Sequence, residues 1–322
     1  MNEIKPPLVS ILITSYNRAQ WLKKTIDSAL EQDYLNFEVV ISDNCSTDGT
    51  DELMKTYEGD CRVKYYKNDS NIGMIANFYK VFLELAQGEY VTHISSDDYL
   101  CNNTFLSKGV DAFETHPDVE IFSAVNLILY EDINTLKKDD MFHLLNDYFK
   151  KKKVDGKEIF LNFPKVGGLG FGACIMRLAS FKNVVIDRAI TTSLDLQILL
   201  QLLIIGGAYF LEEESYVFRR HAGQASQSYT TAEKFINNNR FIEIPYKVAK
   251  EKKYLDEHVM DKWRYNMLYP QIRYGMHHLL KINKAEHQKF YQYAKANFPS
   301  MIKRIMMEPK YVIKRLIYAK NN

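Results

Sequence analysis

Over the first hundred residues the apolar positions switch between two spacings. Leu8 to Thr14 is rich in β-branched and apolar side chains, long enough for a strand buried on both faces. Arg18 to Gln32 follows at helical spacing, with Trp21, Leu22, Ile26, Ala29 and Leu30 on one side. Phe37 to Ser42 reads as a second strand. Ser46, Thr47 and Asp48 then offer capping side chains for a helix over Thr50 to Tyr57. Arg62 to Tyr66 is a third strand, Met74 to Leu85 a helix stopped by Gly88, and Glu89 to Ile94 a fourth strand. Strands alternating with helices imply parallel pairing with right-handed crossovers, an α/β fold. In such sheets ligands bind beyond the carboxyl ends of the strands. Polar residues gather at those ends: Thr14 to Asn17, Ser42 to Asn44, and Ser95 to Asp98.

The regularity loosens after a helix over Thr104 to Thr115. Glu120 to Tyr130 reads as a strand and Met141 to Lys153 as an exposed helix, with Lys150 to Lys153 a solvated face. Gly167 to Met176 is a glycine-rich loop entering a strand. Thr191 to Ile205 is a helix apolar nearly all round, closed by Gly206 and Gly207, and Ala208 to Phe218 is strand-like. Beyond Ser228 the pattern is helical and rich in Tyr, Asn and Lys. These shifts divide the chain into an α/β domain over 1–225 and a helical region over 226–322.

Composition narrows the picture without redrawing it. With 322 residues, 46% hydrophobic and 25% charged, the chain has the makings of a stable core and is not wholly disordered. A balance of 42 Lys and Arg against 40 Asp and Glu argues against bulk nucleic-acid binding. The N-terminus has no signal-peptide pattern, and the longest apolar stretch, Leu194 to Phe210, is interrupted by Asp195, Gln197 and Gln201. The four cysteines are scattered with no Cys-x-x-Cys pair and no His cluster beside them, which favours buried thiols over disulfides or zinc. The economical expectation is a cytoplasmic protein.

The first candidate chemistry is Asp97-Asp98, just past the fourth strand. Adjacent carboxylates repel unless a cation or hydrogen-bond donors compensate. Their hard oxygens suit Mg²⁺ or Mn²⁺ bridging to a phosphate. A solvated loop capping the next helix is the alternative for an isolated Asp-Asp pair.

Its companions change that balance. Val9-Ser10-Ile11-Leu12-Ile13-Thr14-Ser15-Tyr16-Asn17-Arg18 and the stretch from Glu38 through Asp43-Asn44-Cys45-Ser46-Thr47-Asp48-Gly49 to Thr50 resemble the nucleotide-sugar-binding half of the family 2 glycosyltransferases. So do Asn71-Ile72-Gly73, Ala86-Gln87-Gly88-Glu89-Tyr90 and the Ser-Asp-Asp step. The resemblance covers roughly residues 8–220. It implies a GT-A fold, a Rossmann-like sheet, with the helical region appended.

Carried over residue by residue, the resemblance puts Thr14 and Tyr16 in the nucleotide pocket, Tyr16 against the base. It gives Asp43 a hydrogen bond to a uracil or thymine N–H; closing a turn through its side chain is the other reading, less favoured because Asp48-Gly49 already supplies that chemistry. Asp97 would lie near the ribose, and Asp98 would ligate Mg²⁺ or Mn²⁺ holding the diphosphate. Asp195, in the first turn of its apolar helix, would be the general base; complementing the helix dipole is its other reading. Arg219 and Arg220 would close on the diphosphate or acceptor and His221 would complete the metal sphere, against the reading of a basic surface turn. Gly168 and Gly170 do not fit a dinucleotide fingerprint. They suit close backbone approach to the donor sugar or acceptor, or a plain loop. The sequence departs from the family at Ser96, where an Asp is frequent, at Leu194, where Glu is frequent, and at Ile75 and Ala76, where a basic residue is frequent.

The implied activity is inverting transfer from a nucleotide-diphosphate sugar, UDP or dTDP favoured, to a glycan or lipid-linked acceptor in bacterial surface polysaccharide assembly. Two rivals stay open: a nucleotidyltransferase, against which Ser15 to Arg18 lacks a Gly-rich loop, and a non-catalytic sugar-nucleotide-binding protein. In 301–322, Lys303, Arg304, Lys310, Lys314, Arg315 and Lys320 oppose the single acid Glu308, and Val312, Ile313, Leu316 and Ile317 recur at helical spacing. Such a helix suits the inner face of a membrane, its own domain or a second subunit of a homo-oligomer.

Overall fold

A computed structural model describes residues 5–139, 142–166, 169–190, 193–224 and 230–320. The chain divides into two compact units. The first holds 1–186 and 198–223, and the second holds 187–197 and 224–322.

In the first unit, the described residues build one mixed sheet. Its strands are β1 (Val9–Ser15), β2 (Phe37–Asp43), β3 (Val63–Lys67), β4 (Tyr90–Ser95), β5 (Tyr99–Leu100), β6 (Val119–Tyr130), β7 (Thr135–Lys138), β8 (Lys153–Val154), β9 (Cys174–Arg177) and β10 (Gly207–Arg220). The order is β3-β2-β1-β4-β9-β6-β10-β5, with β7 on β6 and β8 on β10. The β1–β4 core is parallel as the alternation predicts, and β1 and β2 are buried along almost their whole length. Beyond β4 the pattern changes, because β9 inserts antiparallel between β4 and β6. A four-residue strand carries too little periodicity for its direction to be read.

Other differences have local causes. The predicted helix from Met74 to Leu85 forms in two pieces, an α-helix Met74–Lys80 and a π-helical turn Val81–Leu85. The helix Phe142–Lys151, expected to be exposed, buries Leu145, Tyr148 and Phe149, two of which pack on Phe210. Three apolar positions at i, i+3 and i+4 were outweighed by the lysines that follow. Those lysines are exposed, and Lys151 and Lys153 pair with Glu158 and Asp118. The helix Gly156–Val166 contains Pro164 and was not anticipated.

Helix Ala19–Leu30 buries Leu22, Ile26 and Ala29 against β1 and β2 in a cluster that includes Ile11, Ile13, Val39 and Ile41. Phe78, Phe82, Phe171 and Phe181 form a second aromatic layer around His93. Gly88 does more than end a helix. A Cβ there would come within 2.6 Å of the Ser10 amide nitrogen and 2.8 Å of the Leu8 carbonyl oxygen.

The second unit is helical in its C-terminal part: Ala232–Asn238, Arg240–Glu251, Glu257–Ile282, Lys284–Asn297, Pro299–Met306 and Pro309–Lys320. Its core joins Met260, Trp263, Leu268, Ile272 and Met276 to Phe235, Phe290, Ile305 and Tyr311. No described helix is long and apolar enough to cross a membrane.

Gly88→Ala overpacks backbone against backbone and should cost about 1–3 kcal/mol. Urea unfolding of the variant beside the native chain measures this.

Candidate active site

The carboxyl ends of β1, β2 and β4 are sewn together by side chains short enough to bond their own turns. Asn17 adopts a left-handed φ of 51°. Its amide donates to Ser46 Oγ at 2.8 Å, and its Oδ1 accepts from the Thr47 amide at 2.9 Å. The loop after β1 is thereby pinned to the loop after β2. Asp43 is fully buried, and its carboxylate accepts from the Ser46 amide at 2.9 Å, from the Ser46 hydroxyl, and from Tyr65 Oη at 3.3 Å. A second network links Ser42, Asn44, Asn68, Asn71 and Asn77, and Lys80 donates into it through Asn68.

Thr14 and Tyr16 differ in their surroundings. Thr14 Oγ1 lies 3.0 Å from His93 Nε2. Burial among phenylalanine rings pushes His93 down to about 3, so its imidazole is neutral. Tyr16 is 46% exposed beside it in the chain, a free aromatic face at a strand end.

The two adjacent aspartates also part company. Asp98 is 1% exposed; its Oδ2 accepts from Tyr216 Oη at 2.6 Å and its Oδ1 from the Arg219 amide at 2.7 Å. Burial first, then repulsion from Asp97, pushes Asp98 up to about 8, against the pull of those two donors. Asp97 turns the other way. Its Oδ2 lies 3.0 Å from His221 Nε2 and 3.8 Å from Arg18 Nε. The Gly223 amide donates to His221 Nδ1 at 3.2 Å, so the ring proton sits on Nε2 and is donated to Asp97.

The segment after β10 is held over this pair. Arg219 Nε donates to the Asp97 carbonyl at 2.8 Å, and its guanidinium lies 3.3 Å from Glu131 and over the ring of Trp21. Arg18 Nη2 donates to the Gly223 carbonyl at 2.8 Å. Trp21 packs on His221 with ring centres 4.3 Å apart and planes tilted by 43°, and donates its indole N–H to Glu131 at 2.9 Å. Arg220 is exposed and lies over Tyr130.

The predicted residues thus fall into separate groups. Asp97, Asp98, Arg219 and His221 form one hydrogen-bonded cluster, while Asp43 is engaged by its own loop. Gly168 lies outside the described residues. Gly170 has its open side filled: a Cβ there would strike Asn126, and one at Gly172 would strike the Tyr216 ring. Asp195 belongs to the second unit, in the first turn of Leu194–Ile205. Burial pushes it up to about 6, opposed by its own amide and that of Leu196.

Tyr216, Glu131 and His93 carry no sequence signal that marks them as part of the site. Trp21 was legible only as an apolar helix position, although its indole N–H requires a partner when covered. Among the described residues no three His, Cys, Asp or Glu side chains gather as a metal-binding group. The oxygens of Asp98 face Tyr216 and Arg219, and those of Asp97 face His221.

Comparison with known proteins settles the lineage. The model of the family "Glycosyl transferase family 2" matches residues 10–184, more than half of the chain. The chain belongs to glycosyl transferase family 2. TuaG of Bacillus subtilis, named for teichuronic acid biosynthesis, is 40% identical over 93 residues, 29% of this chain and 36% of TuaG. Poly(ribitol-phosphate) beta-N-acetylglucosaminyltransferase TarS of Staphylococcus aureus is 31% identical over 112 residues, 34% of this chain and 20% of TarS. The matched stretches therefore span little more than a third of TuaG and a fifth of TarS. The crystal structure of S. aureus TarS 1–349 in complex with UDP-GlcNAc is similar with a TM-score of 0.71 at 18% identity, covering 96% of this chain and 88% of that one. Mannosyltransferase PcManGT from Pyrobaculum calidifontis, in complex with GDP-Man and Mn²⁺, gives 0.55 at 14% identity, covering 98% and 85%. At these identities the likeness is one of fold, and it is the GT-A fold expected from the sequence.

The raised Asp98 has a consequence for stability. Its carboxyl ionises in the unfolded chain near 3.8 but in the folded chain only near 8, so the folded state holds the extra proton between those values. Stability from this group is present below about pH 4 and is lost as pH rises toward 8. Asp98→Asn removes that dependence. Relative to the native chain it should gain at least about 1 kcal/mol between about pH 5 and pH 8. Urea unfolding at the two pH values reads it directly.

Proposed function

We propose that this chain is an inverting glycosyltransferase of bacterial surface polysaccharide synthesis, moving a sugar from a nucleotide-diphosphate donor to an acceptor hydroxyl. The observation that carries the reading is the Asp97–Asp98 pair at the end of β4, two adjacent carboxyl groups under a segment bearing Arg219 and His221 in a family 2 sheet. Support for the donor class comes from the nucleotide sugars named with TarS and PcManGT, and for the pathway from the names of TuaG and TarS. UDP or dTDP is the favoured nucleotide, and a glycan or lipid-linked molecule the favoured acceptor.

In this reading Tyr16 stacks on the base and Thr14, oriented by neutral His93, lines the pocket. Asp43 acts on the base with its remaining lone pairs while Ser46 holds it in place, and Asp97 takes the ribose. The donor set suits Mg²⁺ or Mn²⁺ by its chemistry: Asp98 and Asp97 are adjacent acids whose repulsion helps to push Asp98 up. Asp98 would hold the ion, with His221 as second ligand once its Nε2 proton moves to Nδ1. Such an ion, when bound, stabilises the charge that develops on the leaving diphosphate. Arg219 keeps the segment over Asp97, and Arg220, exposed over Tyr130, meets diphosphate or acceptor.

Asp195 is the proposed base. The acceptor oxygen forms a bond to the anomeric carbon as the bond from that carbon to the diphosphate oxygen breaks, and the hydroxyl proton passes to the Asp195 carboxylate. One displacement inverts the configuration. Residues 1–225 constitute the transferase domain and 226–322 an appendage that holds the protein against the inner face of the membrane.

Asp195 works only as a carboxylate, so kcat/KM should fall as pH drops through about 6. Asp195→Asn should lower transfer at least about 10²-fold and abolish that limb, with nucleotide affinity retained. Unchanged transfer in that variant contradicts the assignment. A panel of nucleotide sugars, screened first by thermal shift and then for turnover, identifies the donor.

A further inference from the structure

The basic tail divides into a packed part and an open part. Helix Pro299–Met306 buries Met301, Ile302 and Ile305 in its own unit. Glu308 accepts from Arg273 Nε at 2.8 Å and Tyr269 Oη at 2.8 Å, and lies 3.3 Å from His277. Tyr311 is fully buried; its hydroxyl meets His287 Nε2 at 2.7 Å and its ring meets His277 edge-on at 5.0 Å. The chain through Tyr311 is therefore seated on the long helix Glu257–Ile282.

One turn on, the surface opens. Lys310, Ile313 and Lys314 stand at i, i+3 and i+4 and line one side of a groove of about 410 Å³, with Arg273, Tyr274 and His277 on the other. No acid lines it. Glu308 faces Arg273 and His277 from behind, so among the described residues its carboxylate pairs with these and with neither lysine. Burial, together with the nearby Arg273 and Lys314, holds His277 below its usual range despite Glu308, so it acts as a neutral donor or acceptor. Ile313 is 56% exposed and Tyr274 52%, and Val312 is also exposed. Cations around a groove with apolar side chains standing at its mouth match a phosphate above hydrocarbon: the cations meet the headgroup while Ile313, Val312 and Tyr274 enter the interface.

We propose that this groove on the helical unit is a docking site for the phosphate headgroup of an anionic membrane lipid. Charge complementarity selects that occupant over a symmetric groove-to-groove pairing with a second copy of this chain, in which the groove would face its own sign. The proposal deepens the membrane part of the proposed function, and its test reads lipid binding without sugar transfer, so the two fail separately.

The test is co-sedimentation of the full chain with vesicles of phosphatidylcholine alone and of phosphatidylcholine doped with phosphatidylglycerol. The chain should bind only the doped vesicles. Lys310→Gln with Lys314→Gln should weaken that binding on the order of 30-fold, and Ile313→Ser should weaken it by several-fold at unchanged charge. Circular dichroism and the melting temperature of each variant, unchanged from the native chain, establish that it is folded. Equal binding to neutral vesicles, indifference to both variants, or displacement from doped vesicles by millimolar glycerol phosphate would each overturn the proposal, the last by making the ligand a free phosphate. A concentration-dependent dimer abolished by the lysine variants would overturn it in favour of self-association.

Discussion

The carboxylate of Asp98 is taken out of water next to the carboxylate of Asp97, and only a phenol and a backbone amide receive it. Much of the first unit can be read as what that arrangement requires. Tyr216 must lie flat beneath a chain segment, so position 172 is a glycine. The Arg219 amide must point inward, so its side chain is carried outward onto Trp21 and anchored by Glu131 and the Asp97 carbonyl. Thr25, on helix Ala19–Leu30, donates its hydroxyl to the carbonyls of Ser96 and Asp98 and fixes the turn from beneath. A neutral acid in that cage costs little, and an ionised one costs several kcal/mol unless a cation answers it. Burial therefore favours the protonated form of Asp98 in this cage, against the pull of Tyr216 and Arg219.

His221 donates to Asp97 because its other nitrogen is occupied by the Gly223 amide, and Arg18 holds Gly223 by the carbonyl. The three interactions form a closed loop from the first strand end to the last strand end. Asp97 and His221 are thus held by the segment that follows the last strand.

The β1–β4 framework was legible because buried parallel strands and the helices between them leave opposite periodicities in the sequence. Strand-end residues were legible for the same reason: apolar runs stop where the polar ones begin, so Thr14, Asp43 and Asp97 marked the edge. What lay between them was not. Whether Asp98 faces solvent or core depends on Tyr216, more than a hundred residues away, and on a peptide N–H that carries no side-chain signature. The antiparallel β9 and the short β5, β7 and β8 are held by pairing to longer strands rather than by their own pattern. In the helical unit, the count of basic residues in 301–322 was visible, but the burial of Tyr311 and the diversion of Glu308 to Arg273 decide which of those residues meet solvent.

The claim on which the rest turns is that the Asp97–Asp98 pair receives a nucleotide diphosphate together with a divalent cation. Calorimetric titration of UDP into the native chain, once with Mn²⁺ and once with excess chelator, tests it most directly. The account predicts saturable binding with Mn²⁺ that weakens at least about 10-fold when the ion is withdrawn, a loss of about 1.4 kcal/mol or more. Equally tight binding in the presence of chelator would contradict it.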